Sequence, residues 1–212
     1  VEFVGHPLID AIHNHPAMDS GVFRKENQLN DKPIIAILPG SRKQEITKML
    51  SVMLSVVNDF PDYQFVIAGA PSQEFSFYEG FITNENIKFV SNKTYDLLSN
   101  ATAALVTSGT ATLETALFKV PEVVCYKGSW VSYQIAKRII TLKYISLVNL
   151  IMNEEVVTEL IQEQCSKNQI RKELKKILDP KYRETLLSQY NTLEEKLGGI
   201  GASEKTAQLI VD

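Results

Sequence analysis

Two short stretches of this sequence put small hydroxyl residues, a glycine and a charged side chain where a strand gives way to a helix. The first is Leu38-Pro39-Gly40-Ser41-Arg42-Lys43-Gln44-Glu45 and the second Thr107-Ser108-Gly109-Thr110-Ala111-Thr112-Leu113-Glu114. In the first, Gly40 lets backbone approach a ligand, Ser41 can cap the following helix, and the planar fork of Arg42 can grip a phosphate. In the second, Ser108, Gly109 and Thr110 leave the N–H groups of a helix start uncovered. Those donors and the positive end of the helix dipole suit a diphosphate. Glu114 falls one turn into that helix, where a carboxylate can accept from both hydroxyls of a ribose. The competing readings are ordinary capped turns, with Arg42 and Glu114 merely solvated. Two such junctions in one sheet favour a ligand cleft. Neither is a Walker loop, because the second glycine with its Lys-Ser/Thr is missing.

Asn149 stands within the apolar run Ser146-Leu147-Val148-Asn149-Leu150-Ile151. A buried amide costs about 1–3 kcal/mol unless it is partnered, so Asn149 must bond to backbone or to a ligand. The stretch from Ser129 to Ile140 carries apolar residues at helical spacing, with Lys137, Arg138 and Lys143 adjacent. It reads as an amphipathic helix packed on a sheet, or as a contact for a lipid-bearing substrate or membrane face.

The elements that must hold these residues follow from hydrophobic periodicity. Strands are expected at 34–38, 63–68, 87–90, 103–107 and 122–126, alternating with helical segments from Ile46 towards Pro61, at 73–81, 94–100 and 110–118. That alternation indicates βαβ units with right-handed crossovers. The predicted fold is α/β, a Rossmann-like doubly wound parallel sheet of about five strands. In such sheets ligands bind beyond the carboxyl ends of the strands, where both junctions lie. A helical C-terminal extension follows, with helices at 129–142, 154–164, 168–178, 180–197 and 203–211, the last set off by Gly198-Gly199-Ile200-Gly201. The segment from Asn14 to Lys32 reads as polar turns, and Val1-Glu2-Phe3-Val4 as strand-like. A start in such a segment, without Met, suggests a piece of a longer chain.

The sequence has 212 residues, 44% of them hydrophobic and 22% charged, which fits a globular protein. The formal charge of −3 offers no basic footprint for nucleic acid. Cys125, in an apolar run, is expected as a buried free thiol; Cys125 and Cys165 match no metal spacing and make a poor disulfide framework, so a reducing cytosol fits best. His6, His13 and His15 cluster near the N-terminus without a cysteine partner, and no metal site is expected. No apolar run is long enough to span a bilayer, and the N-terminus lacks the pattern of a signal peptide.

Taken in order, several segments resemble the lipid-A-disaccharide synthase family of GT-B glycosyltransferases. They are Phe3-Val4-Gly5-His6-Pro7-Leu8, Leu38 to Arg42, Ser108 to Glu114, Ala136-Lys137-Arg138, Ser146 to Leu150 and Glu159-Leu160-Ile161-Gln162-Glu163-Gln164-Cys165. The resemblance implies the C-terminal, UDP-binding half of an inverting hexosyltransferase of lipid A biosynthesis. Such an enzyme moves 2,3-diacylglucosamine from UDP to the 6-hydroxyl of 2,3-diacylglucosamine 1-phosphate, forming a β-1,6 disaccharide 1-phosphate. It implies nucleotide binding by Gly40, Ser41, Arg42, Ser108, Gly109, Thr110 and Glu114. Arg42 and Asn149 are implied on the catalytic side, the UDP-sugar is a substrate, and no cofactor is needed. It further implies residues 1–32 as an interdomain hinge and lead-in, 33–197 as the nucleotide-sugar-binding domain, and 198–212 as a terminal helix that packs on another domain or swaps, giving a homodimer. Family members are nearly twice this length, and their N-terminal domain carries the expected general base. The isolated chain is therefore expected to be inactive, and a structural role at the hinge is favoured for His6. A cytoplasmic protein peripheral to the inner membrane of a Gram-negative bacterium is the expected setting. Two alternatives remain: another UDP-sugar enzyme of the same shape, such as an N-acetylglucosaminyl transferase or a 2-epimerase, or a non-catalytic nucleotide-binding module.

Overall fold

A computed structural model describes residues 2–16, 18–128 and 143–211 of the chain. The helix expected over 129–142, with Trp130, Lys137 and Arg138, lies outside the described residues. Six strands form one wholly parallel sheet: β1 (Ile34–Leu38), β2 (Gln64–Gly69), β3 (Ile87–Ser91), β4 (Ala101–Thr107), β5 (Glu122–Tyr126) and β6 (Thr158–Ile161), in the order β3-β2-β1-β4-β5-β6. The chain winds outward from β1 to β3, returns to the centre and continues through β4. The sheet's topological switch point therefore lies between β1 and β4.

Every residue of β1, β2 and the inner half of β4 is buried, because helices cover both faces of the sheet. Alternation decides which face each residue serves. Ile35, Ile37, Phe65, Ile67, Leu105 and Val123 join one hydrophobic cluster, with Ile46, Met49, Leu50 and Met53 of α3 (Lys43–Met53). Ile34, Ala36, Leu38, Val66, Ala68, Ala104 and Val106 join the other, with Leu97 and Leu98 of α5 (Thr94–Asn100). The remaining helices around the sheet are α1 (Pro7–His13), α2 (Ser20–Glu26), α4 (Phe75–Glu79), α6 (Thr110–Leu117), α7 (Leu147–Met152), α8 (Lys167–Leu178), α9 (Pro180–Lys196) and α10 (Ala202–Val211).

The structure corrects three sequence expectations. Residues 154–164 are not one helix: Thr158–Ile161 form β6, whose backbone pairs in parallel with Val123–Tyr126 of β5, and only Gln162–Gln164 form a short 3-10 turn. An extra strand satisfies the ladder groups along β5, and Gln162 at φ 54 ends any continuous helical path. The polar stretch 14–32 contains α2, because the Asp19 carboxylate caps Val22 N at 3.0 Å and Phe23 is buried against β1 and β2. Residues 2–6 form no strand. Instead His6 caps α1, its Nδ1 accepting from Leu8 N at 3.2 Å while its own N–H donates to Leu197 O.

The terminal helix is anchored from α1. The Asp10 carboxylate accepts Gly201 N at 2.7 Å and Ser203 N at 2.8 Å, closing the start of α10, and these N–H groups hold its carboxyl below its ordinary value. Beyond Ala202, the described side chains of α10 are exposed, including Leu209 and Ile210 at 50% and 78%. Among the described residues, no helix is long and apolar enough to cross a membrane.

Candidate functional site

Strand ends build a cleft of about 310 Å³ at the switch point. The segment after β1 supplies Pro39, Gly40 and Ser41, that after β2 supplies Ala70 and Pro71, and the end of β4 with the start of α6 supplies Thr107 to Ala111. Adjacent strands in a doubly wound sheet diverge here because their connections leave to opposite faces, so the backbone opens without a cavity inside the core.

At the first junction Gly40 adopts φ 96, which turns the chain sharply off β1 into α3. Ser41 lines the cleft, and its carbonyl accepts from Ser72 Oγ at 3.2 Å, tying the β1 and β2 loops together. Arg42 occupies the N-cap of α3, exposed and without a capping bond, beside the cleft rather than lining it. Glu45, one turn into α3, does line it, and its carboxylate folds back over Gly40.

At the second junction Gly109 is the N-cap of α6 with φ 155, and the space where its Cβ would stand is open. The hydroxyl of Thr112 donates to Gly109 O at 2.9 Å and fixes the turn. The N–H groups of Thr110 and Ala111 in the first turn have no intrahelical acceptor and border the cleft. The Ser108 hydroxyl donates to Ile145 O at 2.8 Å, so a ligand meets its backbone N–H and the oxygen's remaining lone pairs. Thr107 Oγ1 has no hydrogen-bond partner among the described residues, although the residue is 3% exposed and lines the cleft. Such a buried hydroxyl invites a ligand atom.

Glu114 is half-buried on the cleft wall, and Tyr95 OH donates to its Oε1 at 3.0 Å. Gly40, Ser41, Ser108, Gly109, Thr110 and Glu114 thus meet in one cleft, as their types and spacing suggested, with Arg42 at its edge. Sequence reasoning missed Glu45, Thr94, Tyr95 and Thr107. Thr107 was visible in the motif, whereas Tyr95 lies 19 residues from Glu114 and no local pattern joins them.

The structure does not bring Asn149 to the cleft. Its side chain is completely buried, and its amide donates to Val157 O and Glu159 Oε1 while accepting from Val156 N and Val157 N. These bonds exhaust the group's capacity, so the backbone alternative is the one realised. Cys125 and Cys165 are both free and buried.

The family model for lipid-A-disaccharide synthetase matches residues 1–210. Among curated relatives, the lipid-A-disaccharide synthase of Idiomarina loihiensis is 36% identical over 98% of this chain and 56% of its own length. That of Coxiella burnetii is 34% identical over 99% of this chain and 57% of its own length. The chain thus spans a little over half the length of the relatives it matches. Among solved structures, an S. aureus MnaA–UDP co-structure superposes with a TM-score of 0.66 at 15% identity, over 98% of this chain and 53% of that one. WaaG, a glycosyltransferase of lipopolysaccharide biosynthesis, superposes with a TM-score of 0.57 at 16% identity, over 97% of this chain and 54% of that one. At such identities these two likenesses establish the fold, the Rossmann-like half of a GT-B architecture. The match along almost the whole sequence, on a sheet whose two glycine junctions converge at the switch point, places this chain in the lipid-A-disaccharide synthase family.

Proposed function

We propose that this chain forms the donor-binding half of an inverting glycosyltransferase that makes the β-1,6 lipid A disaccharide 1-phosphate. The observation that carries the reading is the cleft between the β1 and β4 ends, with the Glu114 carboxylate on one wall and the uncovered start of α6 beside it. In this reading Glu114 accepts from the ribose hydroxyls of UDP, and the N–H groups of Gly109, Thr110 and Ala111 receive the diphosphate. Arg42 swings in from the edge to add charge.

Transfer is then a direct displacement. The 6-hydroxyl oxygen of 2,3-diacylglucosamine 1-phosphate attacks the anomeric carbon of the UDP-bound 2,3-diacylglucosaminyl group, the bond to the diphosphate oxygen breaks, and UDP leaves. Charge grows on that diphosphate as the bond stretches, so donors aimed at it stabilise the transition state more than the ground state. The acceptor's proton goes to a base that we assign to the part of the relatives this chain does not span. Asn149 contributes only by holding the 145–159 region behind Ser108. Acyl chains on both substrates place the reaction at a membrane surface, on the cytoplasmic side of the inner membrane in our reading. The exposed Leu209 and Ile210 of α10 support contact with a further protein surface, a second copy in the homodimer reading, which sedimentation at rising concentration tests.

Titration with UDP tests the site. Arg42→Ala and Glu114→Ala should each weaken binding about tenfold, the scale of one charge-assisted hydrogen bond; unchanged affinity in both overturns the assignment. Appreciable transfer by the 212-residue chain alone would overturn the placement of the base. Equal use of acylated and unacylated donors by a full-length relative with this half grafted in would overturn the lipid assignment.

A further inference from the structure

Glu114 does not stand free on the cleft wall. Tyr95, the second residue of α5, donates its hydroxyl to Glu114 Oε1 at 3.0 Å, and its neighbour Thr94 lines the cleft. The tyrosine ring is itself gripped from two sides. His15 meets it edge-on, with centroids 5.3 Å apart and planes at 86°, and Phe118 packs on it at 5.1 Å. His15 is fixed in turn by Asp96, Nε2 to Oδ1 at 3.0 Å, and Asp96 is buried on α5. The connection between α1 and α2, the helix α5 and the end of α6 therefore converge to hold one hydroxyl against one carboxylate oxygen.

That arrangement matters for what the carboxylate can recognise. A glutamate accepts at about four lone-pair sites, and Tyr95 uses one of them. Glu114 lines the cleft, so the remaining sites are left for a ligand there, and the Tyr95 bond restrains the plane of the carboxylate. Two vicinal hydroxyls donating to one carboxylate need that plane set, because a freely turning side chain satisfies one hydroxyl at a time. Burial, and then the Glu114 charge, push the Tyr95 hydroxyl up to about 12, so it remains a proton donor at any ordinary pH.

We propose that Tyr95 is a positioning residue that locks Glu114 to read the vicinal hydroxyls of a ribose, giving the cleft its preference for ribonucleoside over 2′-deoxyribonucleoside diphosphates. The proposal rests on the placement of ribose at Glu114 given above. It goes beyond that placement by naming the second residue that makes it selective.

The test is titration of the chain with UDP and with 2′-deoxy-UDP, for the parent protein, Tyr95→Phe and Glu114→Ala. Phenylalanine keeps the packing against His15 and Phe118 and removes only the donor. The parent should prefer UDP by about ten- to a hundredfold, the scale of one hydrogen bond to a charged group. Tyr95→Phe should cut that preference about three- to tenfold while leaving 2′-deoxy-UDP affinity within about twofold. Glu114→Ala should abolish the preference. If Glu114→Ala abolishes it and Tyr95→Phe leaves it intact, the positioning role is overturned and the ribose site stands. If Tyr95→Phe weakens both ligands equally, the residue is structural only and the proposal falls. If Glu114→Ala leaves the preference intact, or the parent shows none, the ribose placement falls and this inference with it.

Discussion

Asn149 and Glu159 meet at 2.9 Å, the buried amide donating to a carboxylate that also receives the N–H groups of Ile145 and Ser146. Ile145 in turn accepts the Ser108 hydroxyl. Asn149 is therefore linked to the cleft through hydrogen bonds of Glu159 and the 145–146 backbone, without touching the cleft. Replacing Asn149 with Ala removes the bonds that the amide makes to Val157 N–H, Val157 O and Glu159 Oε1 and leaves Val156 N–H with Glu154 O alone, which should cost about 2–4 kcal/mol, read as a fall in the urea midpoint. UDP affinity of the folded variant should change less than about threefold, within the few tenths of a kcal/mol expected of an indirect effect. A large loss of affinity with unchanged stability would instead put Asn149 at the ligand.

Glu45 is the counter-intuitive member of the site. Among the described residues, those lining the cleft include two carboxylates, Glu45 and Glu114, and no Lys, Arg or His, although the proposed ligand is anionic. Glu45 sits in the first turn of α3, where the helix dipole favours a negative charge, and its carboxylate stands over Gly40 on the cleft wall, where it repels an anionic ligand. Glu45→Gln should therefore tighten UDP binding about two- to fivefold, matching a helix-terminus interaction of about 0.5–1 kcal/mol. Calorimetric titration at low and high salt checks this, since the gain should shrink with screening. Weaker binding by the variant would show that Glu45 itself holds the ligand.

Gly40 and Gly109 should fail for different reasons. A Cβ on Gly40 would clash with the Glu45 carboxylate, and its φ of 96 already disfavours any side chain. Gly109 has φ 155 with open space around the same position. Both alanine variants should lose about 1–3 kcal/mol through backbone strain. Only Gly40→Ala should be partly rescued by Glu45→Ala, because only there does a movable side chain add to the strain. Gly109→Ala should refold normally yet bind UDP at least about tenfold more weakly, its methyl group standing where backbone must approach the phosphate. Thermal melts of the two singles and the double, with UDP titrations of both singles, separate these causes.

Much of this was legible from local pattern. Ile34–Leu38 is a run buried on both faces, and Gly40 and Gly109 mark the backbone turns that end β1 and β4. What escaped was non-local. Thr158-Glu159-Leu160-Ile161 reads poorly as a strand because it is short and carries a carboxylate, and that carboxylate is used on Ile145 and Ser146, more than ten residues earlier. Tyr95 gives no signal because its partner lies on another helix. Asn149 left two outcomes open, backbone or ligand, and only the turn made by Val156 and Val157 decided between them.

At the opposite end of the sheet, Glu122 begins β5 completely buried, and neither carboxylate oxygen has a hydrogen-bond partner among the described residues. Tyr190 of α9 faces it without bonding, and Arg183 donates instead to Thr102 O. Burial pushes the Glu122 carboxyl well above its ordinary value. The folded protein therefore keeps a proton that the unfolded chain releases near its ordinary pKa, about 4.3. The stability of this group is fully present below that pH and is lost as pH rises towards the folded value, at about 1.4 kcal/mol per unit across the window. Glu122→Gln has no proton to lose, so its urea midpoint relative to the parent should rise as pH climbs above about 4.3 towards the folded value. A difference that stays flat over that range would mean that Glu122 is ionised in the folded protein and that a partner satisfies it.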